Sequence, residues 1–109
     1  MAKHEFGIMQ KIPLPGKRYD EYEPDKYNCI AVHDDYIEVL LEQLSNIDFY
    51  WHTLDVPGKG LAYFGITLMP PTSLEQVIDV IDGRKELMEL KQLLMQAQKE
   101  NKYVIHFGI

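Results

Sequence analysis

The sequence is poor in cysteine and lacks long apolar runs, and each shortage argues against a class of protein. Cys29 is the single cysteine among 109 residues, so no disulfide can form within the chain. An unpaired thiol is typical of reducing compartments, and we expect a cytoplasmic protein. No run approaches the roughly 20 apolar residues of a membrane-spanning helix, and residues 1–13 lack the apolar core of a signal peptide. We therefore expect no membrane contact and no secretion.

Basic residues are also few, which bears on the partners that the chain can have. Lysine and arginine number 11 against 17 acids, and the formal net charge is −6. The acids concentrate in residues 19–56, where Lys26 is the only base. Such a block repels a phosphate backbone, so we expect no nucleic-acid binding. Two interpretations of the block remain: a solvated surface that aids solubility, and a contact surface for a basic protein partner.

The proline and glycine positions divide the chain into an arm and a domain. Pro13, Pro15, Gly16 and Pro24 interrupt regular structure, so residues 1–27 are predicted to form an irregular N-terminal arm, with at most a short extra strand at residues 6–12. We expect residues 28–109 to form one α+β domain. Apolar periodicity predicts strands at 28–33, 49–55, 61–69 and 103–107, and helices at 35–44 and 73–98, the second broken near Gly83.

This order of elements predicts a ferredoxin-like βαββαβ sandwich. Right-handed crossovers would give a four-stranded antiparallel sheet in the order 4-1-3-2, with both helices on one face. Residues 57–60, Pro-Gly-Lys-Gly, predict a tight hairpin that pairs Phe49 with Leu68 and Trp51 with Ile66. The likeness is one of architecture and points to no family, and so common a fold implies no function.

Alternating side-chain directions then sort the strand residues into two faces. The helix side receives apolar residues such as Val32, Phe49, Ile66, Ile105 and Phe107. A solvated sheet face usually carries Thr, Lys and Glu, whereas the opposite side here receives imidazoles, phenols and small residues. Something is therefore expected to cover it: a second subunit, the N-terminal arm or a ligand. The candidate ligand-binding or interface residues on that side are His33, Tyr50, His52, Tyr63, Gly65, Thr67 and His106.

The same residues define what chemistry the predicted face supports. His52 and His106 would lie on opposite edge strands, about 14 Å apart at about 4.8 Å per strand, too far to share a zinc ion. We expect no metal and no cofactor. His52 opposite Gly65 is the best acid–base candidate, because the glycine leaves room above the sheet for a small ligand. The alternative is an exposed histidine beside a glycine that serves the geometry of the sheet.

Three functions are compatible with these features. The first is a small binding or protein-interaction module that self-associates as a homodimer through the open sheet face. The second is a small enzyme or metabolite-binding protein with its site on that face, although no Ser-His-Asp or Cys-His catalytic motif is present. The third is an acidic inhibitor, of the immunity-protein type, that binds a basic partner.

Overall fold

Six strands form one antiparallel sheet in the computed structural model, which describes residues 2–109. Their spatial order is β2-β1-β6-β5-β3-β4. The strands are β1 (Lys3–Ile8), β2 (Ile30–His33), β3 (Asp48–Trp51), β4 (Pro57–Lys59), β5 (Ile66–Met69) and β6 (Val104–Phe107). The helices in the same range are α1 (Asp34–Glu38), α2 (Leu41–Leu44), α3 (Leu74–Ile81) and α4 (Met88–Lys99).

The predicted ferredoxin-like sheet of four strands is wrong, first because β1 lies inside the sheet. β1 pairs with β2 on one side and with β6 on the other, so the predicted order 4-1-3-2 does not occur. His4 and Glu5 make this segment polar in sequence, yet both side chains are buried. Each has a polar partner, which reduces the usual penalty for burial. The irregular arm therefore follows β1 instead of forming the whole N-terminal region.

The predicted hairpin is also wrong, because the segment assigned to its turn is itself a strand. β4 pairs with β3 at the edge of the sheet, where the missing N–H of Pro57 is tolerated. β5 pairs with the other side of β3 and aligns Tyr50 with Leu68 and Trp51 with Thr67. This register differs by one residue from the predicted one. A slip of one residue moves every side chain of a strand to the opposite face.

The helices cover one face of the sheet and bury the larger core. α3 and α4 contribute apolar residues to it, including Val77, Ile81 and Leu94, which pack with Phe49 of β3. The predicted break near Gly83 is present, since this residue has a φ of 80° in the left-handed region that glycine adopts without strain. The helix predicted over residues 35–44 is divided into the short helices α1 and α2.

The arm, residues 9–29, lies across the other face of the sheet. Tyr19 and Tyr27 pack there against a second apolar cluster contributed by β5 and β6. The close approach depends on Gly7, because a Cβ at this position would lie 2.6 Å from the Tyr27 carbonyl oxygen. The arm is therefore the cover over β5 and β6 on this face, whereas Lys3 and Ala31 near its β2 side stay exposed. The side chains buried beneath it are Ile66, Leu68, Ile105 and Phe107.

Candidate functional site

The predicted site residues do not share one face. His33 and Tyr50 lie on the arm side of the sheet, whereas Thr67 and His106 face the helices. The predicted direction of the side chains is wrong in β5 and β6, because all four residues of each strand are buried. With both faces covered, a strand needs no alternation of polar and apolar residues, so its sequence does not reveal which side faces the helices.

A continuous chain of hydrogen bonds runs through the helix side of the sheet from Thr67 to Tyr63. His106 Nδ1 lies 3.1 Å from Thr67 Oγ1, and His106 Nε2 lies 2.8 Å from His4 Nδ1. His4 Nε2 lies 2.8 Å from Asp34 Oδ1, which also accepts a hydrogen bond from the Tyr63 hydroxyl. Thr67, His106 and His4 are fully buried, and this series of hydrogen bonds reaches the surface at Asp34. We call these five residues the buried relay.

Both ring nitrogens of His4 and of His106 have hydrogen-bonding partners. The Asp34 carboxylate accepts from His4 Nε2–H, and one hydrogen lies between His4 Nδ1 and His106 Nε2. The Thr67 hydroxyl oxygen accepts from the Ala62 N–H at 2.9 Å and is bonded to His106 Nδ1. Burial, and secondarily the neighbouring His4, lowers the pKa of His106 to about 3, which agrees with a neutral ring.

The outer end of the relay is a fixed negative charge. The hydrogen bond from Tyr63, followed by that from His4, lowers the pKa of Asp34. The same hydrogen bond raises the pKa of Tyr63 to about 12, so the phenol stays protonated at neutral pH. No ring nitrogen of the relay is free to take a proton from a bound molecule. The relay therefore fixes the start of α1 and the Tyr63 loop to the sheet.

The candidate site residues predicted from the sequence do not include His4 and Asp34, which hold the relay together. His4, Phe6 and Ile8 alternate with Glu5 and Gly7, and this period of two was the available indication of a strand at β1. The prolines and glycine that follow at residues 13–24 favour an irregular arm instead.

The predicted cross-strand pair of His52 and Gly65 does not form, but the His52 ring lies against Gly65 and fills the space there instead of opening a pocket. A Cβ on Gly65 would meet His52 Nε2 at 2.7 Å, so the ring occupies the space that the glycine leaves. His52 Nε2 accepts a long hydrogen bond, 3.4 Å, from the Ile66 N–H. His52 Nδ1 lies 2.9 Å from Asp20 Oδ1 in the arm, an ion-pair contact that is not aligned as a hydrogen bond. His52 thus links Asp20 of the arm to the start of β5.

Two further contacts hold the arm on the sheet. The Tyr22 hydroxyl donates to Glu5, and this bond raises the pKa of Tyr22 to about 12. The Tyr22 ring meets Phe107 edge-on, with centroids 5.5 Å apart.

Burial, with help from Glu5, raises the pKa of Cys29 to about 12, so the thiol is not a nucleophile at neutral pH.

An exposed aromatic and acidic surface lies where the relay reaches solvent. Phe64 is 80% exposed, and its ring meets that of Tyr63 edge-on. Ile109 lies beside them, because its N–H donates to the Tyr63 carbonyl, and its side chain is partly exposed. Carboxylate oxygens of three acids lie within 4.8 Å of one another and flank the Tyr63 phenol. We call this the Phe64 surface, and it comprises Tyr63, Phe64, Ile109, Asp34, Asp35 and Glu38.

The three acids of this surface are the group within residues 2–109 whose spacing suits a metal ion. Asp34 Oδ1 already accepts hydrogen bonds from His4 and Tyr63, which reduces its capacity to bind an ion. The geometry describes a concentrated negative charge beside an exposed aromatic ring.

Comparison of the chain with protein-family models, with curated proteins and with solved structures gave no match. Within residues 2–109, the helices are too short and too polar to cross a bilayer.

Proposed function

We propose that the chain is a non-enzymatic interaction module that binds a basic protein partner through the Phe64 surface. The exposure of Phe64 carries the proposal, because a large aromatic side chain left in water loses the free energy that burial would supply. Aromatic residues are enriched among those that dominate binding energy at protein interfaces. We place this activity in the cytoplasm, in keeping with the single thiol Cys29.

The acids around Phe64 favour a partner of opposite charge. Asp35 and Glu38 are exposed, and Asp34 is held in its charged form by the relay. Lysine or arginine side chains of a partner would pair with these carboxylates, and one of them would lie over the Phe64 ring. This arrangement also disfavours self-association through the same surface, since two copies would bring like charges together.

The homodimer predicted from the sequence stays a prediction, but it needs a different surface. The face on which it depended is occupied by Tyr19, Tyr27 and the rest of the arm. The edge strand β4 carries Pro57, which discourages strand pairing with a second copy.

The experiment is affinity purification from the organism that encodes the chain, with quantitative mass spectrometry. The bait proteins are the wild type, Phe64→Ala, and Met95→Ala as a matched control. Met95 is also an exposed apolar residue, 49% accessible, but it lies on α4 away from the Phe64 surface. Binding is compared at about 0.1 M and about 1 M salt, where the Debye length falls from roughly 10 Å to roughly 3 Å.

We expect a basic protein that the wild type and Met95→Ala retain at low salt and that Phe64→Ala loses. High salt should release it from all baits. Recovery of the same proteins by wild type and Phe64→Ala would contradict the proposal. A wild type that is dimeric by light scattering and becomes monomeric on Phe64→Ala would instead assign the surface to self-association.

A further inference from the structure

A groove lined by lysines lies between the arm and the sheet, away from the Phe64 surface. It consists of two adjoining cavities of about 290 and about 400 Å³ that share Lys17, Tyr19, Lys26 and Tyr27. This size falls within the range of sites for small molecules. Buried Met9 and Ile105 line the inner side of one cavity each. The groove therefore has an apolar floor, aromatic walls and a charged rim.

The smaller cavity concentrates positive charge in an acidic chain. Its lining includes Lys11, Lys17 and Lys26 and no acid. Within residues 2–109 no carboxylate lies within 4.0 Å of these three ammonium groups, although acids outnumber bases in the chain. Other basic groups, such as Lys59 and Lys91, do have carboxylate partners.

The lysines are also positioned by the tyrosines of the arm. Lys17 Nζ lies 5.2 Å from the centre of the Tyr19 ring, and Lys26 Nζ lies 5.6 Å from that of Tyr27. Such cation–π contacts hold the two ammonium groups at the mouth of the cavity. The tyrosines are in turn anchored on the apolar cluster beneath the arm.

We propose that this groove binds a small phosphate ester. The phosphate group would lie among Lys11, Lys17 and Lys26, because lysine ammonium groups bind phosphate as concentrated point charges. The organic part would lie against the tyrosine rings and Ile105 in the larger cavity. The acids of that cavity, Asp20, Glu21 and Glu23, keep the phosphate at the lysine end. Asp20 is itself paired with Arg18.

The test is an NMR titration of the ¹⁵N-labelled full chain with ribose 5-phosphate, ADP and adenosine. The variant is the double substitution Lys17→Gln and Lys26→Gln, and the control is Lys85→Gln, an exposed lysine outside the groove. The spectra of the free variants establish that both remain folded.

We expect ribose 5-phosphate and ADP to shift the amide signals of residues 17–27 and to saturate with a Kd below about 1 mM. Adenosine, which lacks phosphate, should produce no saturating shift. The double variant should bind roughly tenfold more weakly, since two charge-assisted contacts are lost, and Lys85→Gln should bind like the wild type. The proposal is overturned if neither phosphate ester binds up to about 10 mM, a free energy near −3 kcal/mol. Shifts centred elsewhere, or equal weakening in Lys85→Gln, would also overturn it.

Discussion

Burying two imidazoles beside each other is costly unless every polar atom has a partner. In the buried relay each nitrogen of His4 and His106 meets a hydrogen-bonding group, so the cost is offset. The Asp34 carboxylate at the outer end can only accept, so His4 Nε2 and the Tyr63 hydroxyl donate to it. Removing one member should therefore leave others unsatisfied, and the loss should exceed that of a single hydrogen bond.

Replacing Thr67 with valine tests whether the buried relay is a coupled network. Thr67→Val keeps the shape of the side chain but leaves the Ala62 N–H and His106 Nδ1 without partners. We expect the free energy of unfolding in urea to fall by about 2 kcal/mol or more. Thr72→Val, at an exposed position, should change it by less than about 0.5 kcal/mol. Equal stability of the two variants would show that Thr67 is not part of a coupled network.

At the scale of elements, the arm and the sheet depend on each other through Gly7. A Cβ at Gly7 would lie within 2.7 Å of both the Tyr27 backbone and the Cys29 Sγ, and backbone cannot move aside cheaply. We expect Gly7→Ala to cost about 1–3 kcal/mol, as overpacking does, and to loosen the arm. The other anchors of the arm are the packing of Tyr19 and Tyr27 and the contacts of Tyr22 and His52.

The reactivity of Cys29 reports whether the arm is seated. A pKa near 12, compared with the ordinary value of 9.0, lowers the thiolate fraction at pH 8 by about a thousandfold. The folded wild type should therefore react with a disulfide reagent far more slowly than a free thiol, and Gly7→Ala should react at least about tenfold faster than the wild type. Gly83→Ala is the control, because it strains a residue with a φ of 80° far from the arm. Its thiol should stay protected, and equal acceleration in both variants would contradict the role of Gly7.

The elements also show how far the sequence could lead. The sequence predicts correctly that Val77 of α3, Val32 of β2 and Phe49 of β3 face the core. Each of these elements has one polar and one apolar side. β5 and β6 have no polar side, so their facing depends on register, and register depends on long-range pairing that local sequence does not contain. Pro57 and Gly58 predict a turn from their local preferences, although a proline is also acceptable on an edge strand such as β4.

At the scale of the whole molecule, the buried relay makes stability depend on pH. The unfolded chain binds a proton at His106 below about pH 6.5, whereas the folded chain does not do so until about pH 3. Protons therefore favour the unfolded state in this interval, and stability is greatest above pH 6.5 and decreases as the pH falls. Asp34 acts in the same direction at lower pH, because its pKa is lowered by folding.

We expect the free energy of unfolding to be about 2 kcal/mol lower at pH 5 than at pH 7 through His106 alone. The measurement is urea unfolding at both pH values for the wild type, for His106→Gln and for His33→Gln. His106→Gln should lose this pH dependence, since glutamine does not titrate, and His33→Gln should keep it because His33 is half-exposed. The same dependence in wild type and His106→Gln would place its origin elsewhere.

The lysine groove lies on the side of the sheet that the arm covers. The relay that ends at the Phe64 surface lies on the other side, and His106 is its central residue. The most direct test is ¹⁵N NMR of the histidine side chains as a function of pH. We predict that the His106 ring stays neutral from pH 8 down to about pH 4, with a pKa near 3. If His106 titrates near the ordinary value of about 6.5, its ring is not buried in the relay, and the account is contradicted.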